Sequence, residues 1–170
     1  VIYVRAPRKA LVLTGPPADP ARDLDAACLV RDVEGTKIIS GGTTSKIIAR
    51  ELNLEIEVSL ENMNDLRRGI PPGGLMQGVD LVTEGTITLS AVASILENET
   101  PFENDLKGTD HKMLSLLLSS DVILFAVGTR INQAHQDPRL PKELDIRRNV
   151  IRRIAHLLEK KYLKKVEVMY

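Results

Sequence analysis

Apolar residues recur along this chain in short runs separated by polar, glycine-bearing turns, and two kinds of run alternate. Strand-length runs are Ala10-Leu11-Val12-Leu13, Lys37-Ile38-Ile39-Ser40, Val79-Asp80-Leu81-Val82-Thr83, Val122 to Val127 and Val166-Glu167-Val168-Met169. Between them, helical spacing marks Leu24, Ala27, Cys28 and Val30, then Ile47, Ile48 and Leu52, then Leu89, Val92, Ala93 and Leu96. A further helix carries Met113, Leu114, Leu117 and Leu118. A long one near residues 142–160 has Ile146, Val150, Ile151, Ile154, Leu157 and Leu158 on one side. Asp19-Pro20 reads as an N-cap with proline at the first helical position, and Gly35 as that helix's stop. Glu55 to Val58 predicts a short edge strand. Residues 59–78, with Pro71-Pro72-Gly73-Gly74, predict a long loop. Val122 to Val127, the most apolar run, suits the centre of a covered sheet. The alternation predicts an α/β domain: a Rossmann-like three-layer fold with a mostly parallel sheet.

In a parallel sheet the carboxyl ends of all strands share one edge, and ligands bind outside it. Strands here end in Thr14-Gly15-Pro16-Pro17, Ser40-Gly41-Gly42-Thr43-Thr44-Ser45, Thr83-Glu84-Gly85-Thr86 and Gly128-Thr129-Arg130-Ile131-Asn132, so these turns should converge. The sharpest is Gly41-Gly42-Thr43-Thr44-Ser45. Its glycines allow close backbone approach, its helix start offers N–H groups, and its hydroxyls add donors for phosphate or carboxylate. It is neither a P-loop nor a Gly-x-Gly-x-x-Gly turn, and a Thr or Ser helix cap without a ligand is the plain alternative. Thr83, Glu84 and Gly85 lie at the same edge. Glu84 could bind a sugar hydroxyl, act as general base, or simply answer a helix dipole. Gly128, Thr129, Arg130 and Asn132 complete the candidate set, Arg130 as a bidentate anion partner or a solvated side chain. His135 sits on the same loop as Asn132, whereas His111 and His156 fall in helical patterns as surface or packed side chains.

Composition narrows the partners. Twenty-three basic residues balance 23 acidic ones, so no overall field draws the chain to nucleic acid or anionic membrane. Aromatics are 3% of residues and there is no Trp, which removes base-stacking platforms for single-stranded nucleic acid. Cys28 is the single cysteine, and the three histidines are widely separated, so neither a disulfide framework nor a transition-metal site is expected. No apolar run reaches membrane-spanning length and no signal peptide is visible, which points to the cytoplasm. Arg147, Arg148, Arg152 and Arg153 flank the apolar stripe of the long helix, as solvated carboxylate partners or as a dock for an acidic domain. The opening Val1-Ile2-Tyr3-Val4 reads as a strand without an initiating Met, and hence as part of a longer protein.

The ordered set Leu13-Thr14-Gly15-Pro16-Pro17-Ala18-Asp19-Pro20, Ile39-Ser40-Gly41-Gly42-Thr43-Thr44, Val79 to Gly85, and Val127-Gly128-Thr129 with Asn132-Gln133-Ala134-His135-Gln136 carries a family resemblance. Over nearly the whole chain it resembles the region that follows the phosphatase domain in bacterial SpoIIE-like, metal-dependent protein serine/threonine phosphatases. The resemblance implies that residues 1–8 are the end of that preceding domain and its linker, with Arg5-Ala6-Pro7 as hinge, and that residues 9–170 are a C-terminal α/β domain. It places the catalytic manganese or magnesium upstream of residue 1, so this fragment has no cofactor, metal site or catalytic residue of its own. Asp80-Leu81-Val82-Thr83-Glu84-Gly85 is similar to the phosphatase Asp-Gly-Val-Thr-Glu motif, but Leu81 replaces the glycine and metal binding is not carried over. The Gly-Gly-Thr-Thr-Ser turn also resembles the phosphate-binding turn of sugar-phosphate isomerases and DeoR-type sensor domains. The expected function is a regulatory, ligand-sensing domain that binds a small anionic, phosphorylated metabolite and partners the phosphatase domain, with room for a homo-oligomer. A stand-alone sugar-phosphate-type enzyme using Glu84, or a docking or dimerisation module, are the alternatives.

Overall fold

The computed structural model describes residues 4–58, 69–98, 108–130 and 143–170. Val1 to Tyr3, the 59–68 part of the expected loop, Asn132 and His135 lie outside them. Seven strands form one sheet: β1 (Lys9–Thr14), β2 (Thr36–Ser40), β3 (Glu57–Val58), β4 (Gly74–Met76), β5 (Val79–Thr83), β6 (Val122–Val127) and β7 (Lys165–Met169). Among the described residues five helices accompany them: α1 (Asp23–Asp32), α2 (Gly42–Leu52), α3 (Thr86–Asn98), α4 (Thr109–Ser119) and α5 (Glu143–Tyr162). A 3-10 turn over Pro20–Arg22 leads into α1, with the Asp19 carboxylate accepting the Ala21 N–H at 2.9 Å.

The sheet order is β3-β4-β5-β2-β1-β6-β7. From β5 to β7 all neighbours are parallel, and β4 and β3 add an antiparallel edge. The fold is therefore α/β, a Rossmann-like three-layer domain with a mostly parallel sheet. β1 alternates between two apolar cores. Ala10 and Val12 face α3, α4 and α5, where Leu89, Met113 and Ile151 are fully buried. Leu11 and Leu13 face α1 and α2, against Ala27 and Ile48. Each buried Leu, Ile, Val or Met among them contributes roughly 1.5–3 kcal/mol by leaving water.

Three sequence expectations are corrected. Val122–Val127 is not the central strand: β2 is, and β6 lies next to edge strand β7, with Val122 and Leu124 half-buried. Part of the expected 59–78 loop is β4, which pairs with β5 across a turn made at Gly78. Leu24 is 53% exposed, and Leu29 packs against the core from the same helix.

The residues before β1 are held to the start of β6. Arg5 makes a two-pronged pair with Asp121, at 2.5 and 2.9 Å, and the Arg8 N–H donates to the same carboxylate at 2.7 Å. The Arg8 carbonyl in turn accepts the Asp121 and Val122 N–H groups. The hydrogen bonds from Arg5, and after them that from Arg8, hold the Asp121 carboxyl well below the usual carboxylate range. A carboxylate with a depressed folded-state pKa stabilises above its unfolded value, about 3.9, and loses that contribution as pH falls through the folded value. Urea unfolding of wild type and Asp121→Asn should therefore differ by a constant amount above about pH 5, and the difference should shrink towards pH 2. A difference independent of pH over that window would contradict this role.

Candidate ligand site at the carboxyl edge

The four turns meet. The β1 and β6 backbones stay bonded past their ends, with the Gly128 N–H on the Thr14 carbonyl at 2.8 Å and the Arg130 N–H on the Pro16 carbonyl at 3.2 Å. A Cβ at Gly128 would lie 2.1 Å from the Pro16 oxygen and 2.2 Å from the Gly15 oxygen, so this crossing admits no side chain. A Cβ at Gly85 would be 3.3 Å from the Gly41 Cα, and one at Gly41 would be 3.9 Å from the Gly15 nitrogen. Glycines from β1, β2, β5 and β6 thus form one contiguous strip of backbone. It includes the crevice between β1 and β6, where the strand order reverses.

At the start of α2, Gly41 is the N-cap at φ 137°, a conformation L side chains rarely adopt, and no side chain caps the helix. The alternative of a Thr or Ser cap is therefore not what caps the helix: glycine holds that position. The Gly41 N–H donates to the Thr83 carbonyl and the Gly42 N–H to the Glu84 carbonyl, both at 3.0 Å. Ser45 N–H closes the first helical bond to Gly41, and its buried hydroxyl donates to the Gly42 carbonyl. Among the described residues the Thr43 and Thr44 N–H groups have no hydrogen-bond acceptor. These two donors sit at the positive end of the helix dipole.

The same strand ends carry a row of hydroxyls, which by alternation continue the face of Ala10, Val12 and Ile38. Thr14, Ser40 and Thr83 are in register on adjacent strands and each is at most 2% exposed. Thr83 donates to the Ser40 oxygen at 3.0 Å, and Ser40 faces the Gly85 carbonyl at 3.5 Å. Among the described residues the buried Thr14 hydroxyl has no partner, and neither does that of Thr88. Buried hydroxyls left unpaired are uncommon in folded proteins.

The charged candidates have other engagements. Glu84, exposed, accepts the Ile87 N–H at 3.2 Å and so caps α3. Arg130 donates to Asp23 at 2.7 Å, and Arg50 donates to the other oxygen of that carboxylate at 2.9 Å. Asp23 is 4% exposed, and the half-buried Arg130 side chain is held against it by one of its terminal nitrogens. The sequence offered no sign of Asp23, whose partners lie 27 and 107 positions away. The arginines of α5 differ from one another: Arg147 is buried against Gly15 and Gly128, Arg153 pairs with Glu97, and Arg148 and Arg152 lie over the Tyr170 ring. Asp80 accepts the Lys37 N–H near the amino end of β5, at the opposite edge from Glu84. His111 is packed, its Nδ1 3.0 Å from the Asp110 carboxylate.

Comparison of the chain with protein-family models, with curated proteins and with solved structures returned no match. Among the described residues no three His, Cys, Asp or Glu side chains gather as metal ligands would, and no helix is long and apolar enough to cross a membrane.

The glycine strip makes opposite forecasts for neighbouring positions. Gly128→Ala should cost about 3 kcal/mol or more, because backbone oxygens cannot retreat from the new methyl. Gly42→Ala, with no heavy atom within 4 Å of the added carbon, should stay within about 0.5 kcal/mol of wild type. Chemical denaturation of both variants checks this, and equal losses would contradict the packing described.

Proposed function

We propose that this chain is a regulatory, ligand-sensing domain that binds a small phosphorylated metabolite at the carboxyl edge of its sheet. The observation that carries the reading is the pair of N–H groups of Thr43 and Thr44, without acceptors at the dipole-positive start of α2. Thr129 and the backbone of Gly128 extend the edge beyond β6. Neither Glu84 nor Arg130 is needed: one caps α3, the other holds Asp23. An enzyme built on Glu84 is for that reason the weaker reading.

The motif order that resembles the region after the phosphatase domain of SpoIIE-like proteins supports a cytoplasmic setting beside such a domain, which would supply the manganese or magnesium. A ligand acts there only through different affinities for two arrangements of the domains. In this reading the residues before β1, held by Arg5 to Asp121, are the ones that transmit the change.

Thermal unfolding against inorganic phosphate, sugar phosphates and nucleotides tests the proposal. A ligand at 100 times its Kd adds about 2.7 kcal/mol, which for a domain of this size is a rise of roughly 5–10 °C. The rise should disappear in Gly42→Ala, whose methyl stands at the start of α2. A flat response in wild type, or one that Gly42→Ala leaves intact, would overturn it and favour a docking module.

A further inference from the structure

The sheet ends on one side in β7, whose outer edge pairs with nothing among the described residues. Five residues long, β7 keeps an unbroken parallel register with β6 and contains no proline. The Lys165 N–H donates to the Asp121 carbonyl at 3.0 Å, so Lys165, Glu167 and Met169 direct their backbone groups at β6. By alternation Val166 and Val168 direct theirs outward, an open template for another strand. Large apolar side chains are exposed at both ends of β7: Tyr162 and Leu163 before it, Leu163 at 88%, and Met169 and Tyr170 at its end. The opposite edge differs, since β3 has only two residues.

Charge decides what can pair there. A lysine on an edge strand ordinarily keeps other strands away, and a twin strand brings a second lysine with it. Here Glu167 follows Lys165 on the same face of the sheet, 3.0 Å from it, and both side chains are exposed. An antiparallel copy can hydrogen-bond through Val166 and Val168 only where even-numbered positions stand opposite even-numbered ones. With Val166 opposite the partner's Val166, each Lys165 lies across from a Glu167, and both charge pairs form beside the two-fold axis. Centring on Glu167 sets two carboxylates against each other, centring on Lys165 sets two ammonium groups together, and centring on Val168 leaves each Glu167 opposite a Met169. Opposite charges across a strand pair stabilise it and like charges destabilise it, so the register about Val166 is selected. In that register the exposed Leu163 of each copy comes to the end of β7 that carries the partner's Met169.

We propose that β7 is the contact edge for a second copy of this chain, the two strands antiparallel about Val166 and the two sheets continuous across a two-fold axis. Such a contact is isologous and closed, so association stops at the dimer. It stands independently of the anion-binding reading. Analytical ultracentrifugation over a range of protein concentrations tests it with wild type, Lys165→Glu, Glu167→Lys and the exchanged double variant Lys165→Glu/Glu167→Lys. The two side chains are 69% and 58% exposed, so the substitutions should leave the fold intact, which circular dichroism checks. Wild type should reach a limiting mass of twice 18.8 kDa. Each single reversal sets like charges across the axis and should weaken association about tenfold, and the double variant should recover it. The outward-facing Val166 and Val168 amides should exchange with deuterium more slowly in wild type than in either single variant. A monomer at every concentration, or growth past the dimer, would overturn the proposal. A dimer indifferent to the single reversals, or one that the double variant fails to restore, would overturn it too, because the contact would then lie elsewhere.

Discussion

The arrangement of the carboxyl edge depends on one backbone-to-backbone contact, the crossing of Gly15 and Gly128. It extends the β1–β6 pairing beyond the strands, where two chains would ordinarily splay as their helices turn to opposite faces. With no side chain between them, the exits of β1 and β6 come close enough for Gly128 to bond to Thr14 and Arg130 to Pro16. The consequences spread outward from there. Arg130 is delivered to Asp23, the guanidinium of Arg147 is seated against both glycines, and Gly41 and Gly85 continue the strip towards β5.

The chemistry at this edge is consequently backbone chemistry. A sequence with Glu84 and Arg130 beside a glycine turn invites a reading in which side chains do the binding. In the fold those side chains complete the protein itself, one as a helix cap and one as a partner of the buried Asp23 carboxylate. Among the described residues, what remains unbonded at this edge is a pair of amides at the start of α2, the Thr14 hydroxyl and the buried Nε of Arg130. Neutral donors at a helix start recognise a charge without moving protons, which suits sensing better than catalysis.

Much of the fold was legible in the sequence, because strands covered on both faces need continuous apolar runs and amphipathic helices need a periodic stripe. β1, β2, β5, β6 and β7 and the five helices all answer to such patterns. β4 did not, since three residues after Pro71-Pro72-Gly73 at the sheet margin need no alternation to pair with β5. The convergence of the turns followed from parallel topology alone. The fates of Arg130 and Asp23 could not follow, because their partnership joins positions 107 apart and leaves no local periodicity. The orphan hydroxyl of Thr14 was likewise invisible, since its isolation depends on which strands stand beside β1.

The central claim, that the start of α2 is a binding surface and not merely a helix cap, is tested most directly by following backbone amides by NMR while inorganic phosphate is added. The account predicts that the largest saturable shifts fall on Thr43 and Thr44, with smaller ones at Gly15 and Gly128 and none at the Arg5–Asp121 clamp on the opposite edge. Shifts scattered over exposed lysines and arginines with no saturation, or no shift at Thr43 and Thr44, would contradict it.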